Sequence, residues 1–160
     1  MSPTFTVQLL PIAVTLHLLS AVIWVGGMFF AHFALRPVAT SLLEPPLRLP
    51  FMSQVLGRFF PWVWAAIVLL WITGLWLIFG FYGGMGNTPI YIHIMLSMGF
   101  LMTVVFAYIF FIPFPGLKQA VSKNDFKSAA QCLATVRQLI HLNLWLGLIT
   151  IIVATAGRLI

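Results

Sequence analysis

The chain has 160 residues, of which 62% are hydrophobic and 6% charged, with a formal net charge of +6. An ordinary soluble domain has about 25% charged residues, so this chain has too few charges to coat a soluble globule. Disorder is excluded by the same hydrophobicity, which leaves an integral membrane protein.

A spanning helix needs about 20 mostly apolar residues. Four stretches supply them: Leu9 to Leu35, Phe59 to Phe81, Ile90 to Ile112 and Leu139 to Gly157. None contains a formal charge. They predict an all-α fold, a single four-helix membrane bundle over residues 1–160. The first stretch has no basic segment before it and exceeds the roughly 7–15 apolar residues of a signal peptide, so it reads as part of the mature protein. Pro11 and Pro61 suit the first turns of the first and second helices. Leu42 to Val55, rich in Leu and Pro, is expected to lie in the membrane interface. Gly83 to Asn87 is a short turn, and Pro113 and Pro115 end the third span. Asn124 reads as an N-cap, so the last helix is expected to begin about three turns before it enters the bilayer. No internal repeat or soluble domain is visible.

The basic residues orient the spans. Arg36, Arg48 and Arg58 lie in or beside the first connection, and Lys118, Lys123, Lys127 and Arg137 in or beside the third. With four spans these connections share one side, which the positive-inside rule makes cytoplasmic. Both termini then face the periplasm, with Arg158 the one basic residue there. The charge is thus a topology signal, and nucleic-acid binding loses its motivation. The lone Cys132 forms no intramolecular disulfide.

Ionisable residues inside a membrane are functional candidates by default. His17 ranks first. Its helical face carries Ala13, Ser20, Trp24, Gly27, Ala31 and Ala34 at spacings of three and four. Small residues let membrane helices approach closely, so this face points into the bundle and leaves room for a flat ligand. His93 ranks second, one turn inside the third span, with Ser97, Phe100, Val104 and Ala107 on its face. The plain alternatives are a histidine bonded to a neighbouring helix and a histidine at headgroup level. His32 lies about 22 Å along the axis from His17 and roughly 60° around it, and ranks behind both. His141 faces away from the small-residue seam Asn143, Gly147, Thr150, Ala154 and Gly157, so it is expected among lipid headgroups. That seam packs inside the bundle or against a second copy of the chain.

Two imidazoles from neighbouring membrane helices are a natural ligand set for haem b. His17 and His93 would hold the iron, lined by Ser20, Trp24, Gly27 and Ser97. Trp64, Trp71 and Phe100 would flank the ring, while Trp62 and Trp76 suit the interfacial belt. Arg36 and Arg58 could meet haem propionates only on the cytoplasmic side; for an outward haem Arg158 is the nearest cation. Such a protein would exchange electrons with a redox partner or quinone, or act as a haem-dependent oxidoreductase. Copper is the alternative, because soft thioethers select Cu(I). Met95, Met98 and Met102 form a stripe roughly 140–200° around the helix from His93 and read as packing residues, while Met28 lies one turn beyond Trp24. A cofactor-free membrane subunit is the third possibility. No nucleophile–base pair, intramembrane carboxylate, phosphate-binding loop or zinc-protease motif is present.

Leu16-His17, Trp24-Val25-Gly26-Gly27-Met28-Phe29-Phe30 and Arg36-Pro37 together resemble the opening helix of the CopD-like copper-resistance membrane proteins. They also resemble the related HemJ-type haem b proteins. Tyr91-Ile92-His93-Ile94-Met95 is similar to a HemJ-type Trp-x-His-x-Lys element, with Met95 replacing the lysine. Arg137 and Asn143 resemble the arginine and asparagine opening the last helix of those proteins. The HemJ likeness implies haem ligation at His17; the CopD likeness implies copper movement across the bacterial inner membrane. The CopD-like pattern fits the sequence better.

Overall fold

The computed structural model describes residues 3–157, so Arg158 lies outside the described residues. Four helical stretches are long and apolar enough to cross a membrane, and no strand occurs among the described residues. α1 is Gln8–Leu42 and α2 is Pro45–Phe81. The third stretch divides into α3, Ile90–Phe111, and α4, Pro113–Ser122. The last is α5, Phe126–Ala156.

These helices outrun the apolar stretches. α1 has 35 residues and α2 has 37, so at about 1.5 Å per residue each exceeds 50 Å. The hydrocarbon core is about 30 Å thick, leaving about 20 Å of each helix beyond it. The surplus lies at the end carrying Arg36, Arg48 and Arg137. Leu42 to Val55 is not a separate connecting segment: Leu42 closes α1 and Pro45 to Val55 open α2. Only Leu43 and Glu44 link α1 to α2, and Leu49, Met52 and Ser53 are buried in the bundle. Pro11 and Pro61 lie inside helices rather than in first turns. Hydropathy located where each span enters the bilayer, whereas the helix begins well before that. Pro45, not Pro61, takes the opening position of α2, after an extended Glu44.

Pro113 does end α3. Ile112 leaves helical geometry before it (φ −113°, ψ −76°), and Pro113 opens α4. α4 buries Phe114, Leu117 and Ala120 and packs on α5. Its Lys118 ammonium sits 4.6 Å from the Phe114 ring centre, outside that face. Asn124 is not the N-cap. It adopts a left-handed conformation, φ 56°, which Asn tolerates, and Asp125 caps α5 instead. Its carboxylate accepts from the Ser128 N–H at 3.0 Å and hydroxyl at 2.6 Å. The Gly83 to Asn87 turn is present, with φ of 77° at Gly83 and 127° at Gly84.

The interior is filled by aromatic rings stacked edge to face. Phe60 contacts Phe114 at 4.7 Å and Phe106 at 5.3 Å, and Trp64 meets Phe106 at 5.3 Å. Trp24 joins this column through Phe106 at 6.3 Å. The α5 seam packs inside the bundle at its first half: Asn143 donates from Nδ2 to the Met102 carbonyl at 3.1 Å, and Gly147 lies against Val25 and Met102. Close approach requires glycine there, because a Cβ would stand 2.8 Å from a Val25 methyl. Trp62, with 66% exposure, faces outward as an interfacial residue would.

α1 is not a uniform α-helix. Val22–Gly26 and Ala31–Leu35 are π-helical. Each such turn holds an extra residue and swings the following side chains by about 100°. Trp24 and His32 lie in these two turns.

Candidate functional site

His17 sits on the α1 face that meets α2. Its Nδ1 lies 2.8 Å from the Thr73 hydroxyl. That hydroxyl donates its own proton to the Leu69 carbonyl at 2.6 Å, so it accepts from His17 Nδ1–H. In the neutral ring Nε2 then keeps a free lone pair. Gly74 gives the imidazole its space, since a Cβ there would stand 3.4 Å from His17 Cε1.

His93 shows the same arrangement with the opposite nitrogen. Thr88 donates to the Met85 carbonyl at 2.7 Å and accepts from His93 Nε2–H at 2.9 Å. Nδ1 is left with the lone pair. His93 borders a shallow hollow with Ile94, Ser97, Met98 and Leu101. Met98 borders the same hollow, although on the unbroken α3 helix it points about 140° around the axis from His93.

The segment carrying His17 packs on α2, whereas α3, which carries His93, packs mainly on α5. No contact between His17 and His93 is present among the described residues. The polar neighbours expected to line a haem are engaged elsewhere. Ser20 is buried and donates to the Leu16 carbonyl at 2.7 Å. Ser97 donates to the His93 carbonyl at 2.9 Å. Gly27 leaves no open space, because the Phe59 ring occupies it, 2.1 Å from where a Cβ would be. Trp24 is 3% exposed, and its indole N–H is buried without a partner among the described residues. Trp71 donates to Thr103 at 3.2 Å and meets Phe100 edge-on at 6.5 Å.

The pair the fold does bring together is His32 and His141. Their rings are 4.5 Å apart and inclined by 32°. His141 thus turns toward α1 rather than standing only among headgroups. The rings lie at a small angle to one another and His141 Nε2 is taken by Trp145, so the pair is stacked and His141 turns no free lone pair toward an ion shared with His32. His141 Nε2 accepts from Trp145 Nε1–H at 3.0 Å, so Nδ1 carries the proton. That Nδ1–H is buried without an acceptor among the described residues. His141 therefore keeps a free N–H where His17 and His93 keep a free lone pair. Among the described residues no three His, Cys, Asp or Glu side chains gather as a metal cage.

The fold and these imidazoles define a multi-pass helical membrane protein whose apolar spans carry histidines and no formal charge. The family model for CopD, copper resistance protein D, matches residues 53–156, more than half of the chain. The chain belongs to that family and is a multi-pass protein of the bacterial inner membrane. The match covers His93, Met98 and His141 but begins after His17. No curated protein and no solved structure matches the chain.

Proposed function

We propose that the protein handles copper in the inner membrane, taking Cu(I) on His17 Nε2 and on His93 Nδ1. The two imidazoles act as separate stations, one against α2 and one at the turn before α3. The observation that carries the reading is the pair of threonine-held tautomers. A metal-binding histidine characteristically gives its other N–H to a fixed acceptor, which aims the ring and raises its basicity. Thr73 and Thr88 supply those acceptors at 2.8 and 2.9 Å. The Met98 thioether, which lines the same shallow hollow as His93, is a ligand type that suits Cu(I), and the family description supplies the metal.

The second reading is haem b in electron transfer, because the same His17 lone pair suits iron. The Phe59 ring beside Gly27 and the packed Trp24 weigh against it. Metal and haem analysis of one purified sample separates the readings. Copper binding that falls in His17→Ala and His93→Ala supports the first. A Soret band with sharp reduced α/β bands, lost in His17→Ala, supports the second. Colourless protein with no affinity for Cu(I) refutes both and leaves a cofactor-free subunit.

A further inference from the structure

Three arginines from three helices share one cleft at the end of the bundle remote from the Gly83 turn. Arg36 of α1, Arg48 of α2 and Arg137 of α5 line one cleft of about 230 Å³, together with His32. Its floor is apolar, including Leu49 at 2% and Val136 at 1% exposure. The chain has two carboxylates, Glu44 and Asp125, and neither lines the cleft. Asp125 is engaged as the α5 cap. Arg137 acts as an unfavourable like charge on both Arg36 and His32. Against His32, the stacked His141 holds its buried Nδ1–H without an acceptor among the described residues.

Arg36 and Arg137 act on one another as like charges here, and an anion seated between them over the apolar floor would relieve that repulsion. The guanidinium fork matches phosphate oxygens in bidentate fashion. Basic pockets between membrane helices bind the head groups of anionic lipids on this principle. We propose that the cleft binds a phosphate group through Arg36, Arg48 and Arg137, and that bound phosphate clamps the ends of α1, α2 and α5 together. The phosphate is carried by an anionic phospholipid or is free in solution. This inference is independent of copper handling.

The test uses the full chain in detergent with three probes: phosphatidylglycerol, phosphatidylcholine and inorganic phosphate. Native mass spectrometry reads binding and thermal unfolding reads the clamp. Phosphatidylglycerol is expected to bind one to one and raise the unfolding temperature, with phosphatidylcholine far weaker. If inorganic phosphate competes, the site takes the bare anion; if it does not, the lipid is the ligand. Either result supports the site. Arg36→Gln and Arg137→Gln are each expected to weaken binding about tenfold, the size of one charge-assisted contact. Arg36→Lys is expected to lose less, and guards against a variant that fails to fold. Arg58→Gln removes a nearby cation that does not line the cleft and is expected to change nothing. Equal binding of phosphatidylcholine, or equal losses in Arg58→Gln and Arg36→Gln, would overturn the proposal.

Discussion

Gly27→Ala adds one methyl group at a place where the structure has no room for it. The new Cβ would lie 2.1 Å from Phe59 Cζ and 2.6 Å from Cε2. Unstrained carbons sit about 3.5–4.0 Å apart, so the overlap is about 1.5 Å. Relief requires the Phe59 ring to leave its place or α1 to move away from α2. The clashing atoms are the far end of a half-buried side chain, so the ring can swing aside and the cost falls at the low end of overpacking, about 1 kcal/mol, a shift of about 5-fold in the folded population. The neighbouring Gly26 is the internal control, because its Cβ would meet nothing within 4 Å. Gly26→Ala should stay within about 0.5 kcal/mol of the parent. Reversible unfolding in mixed micelles measures both. Phe59→Ala should relieve the clash, so the double variant should lose less than the sum of the singles. Equal stability of Gly26→Ala and Gly27→Ala would refute the packing argument. So would strict additivity with Phe59→Ala.

Thr73→Val deletes the acceptor for His17 Nδ1–H while keeping the shape, and should weaken Cu(I) affinity about 10–100-fold; Thr73→Ser should restore most of it, as read by competition with a Cu(I) chelator. The Asp125 carboxyl titrates below its ordinary 3.8 because the Ser128 hydroxyl and backbone N–H bond to the ionised form. A depressed folded-state value adds stability above the unfolded pKa that disappears as pH falls through the folded one. Asp125→Asn should therefore flatten the acid-side fall in unfolding temperature, and an unchanged slope would contradict the cap. Alkaline phosphatase fused after Ile160 should be active and green fluorescent protein there dark, as outward termini require; the reverse pattern would overturn the orientation.

The four spans were legible because hydropathy over 20 residues leaves little ambiguity when no charge interrupts it. The Gly83-Gly84 turn was legible because two left-handed residues in succession call for glycine. The His32–His141 stack was not. Angles counted at about 100° per residue assume a uniform helix, and the π turns at Val22–Gly26 and Ala31–Leu35 break that count. The small-residue seam of α5 misled in another way. It marks where α5 meets α3 through Asn143 and meets both α3 and α1 through Gly147. His141 meets α1 as well, at His32, but from outside the seam, so the small residues did not announce that contact.

Gly27 and the histidines show where sequence stops and geometry takes over. A glycine on an inward face signals that something large comes close. Whether that is a macrocycle or a neighbour's ring depends on what α2 presents, and α2 presents Phe59. A histidine in a membrane likewise signals a polar group that must be satisfied, without saying which nitrogen is free. Here the deciding atom is a hydroxyl proton. Thr73 and Thr88 each spend theirs on a carbonyl and must accept from the ring, so His17 and His93 keep a lone pair. Trp145 can only donate, so His141 loses its own lone pair to the indole. His17 and His93 therefore keep a free lone pair and His141 a free N–H, a division no residue spacing encodes.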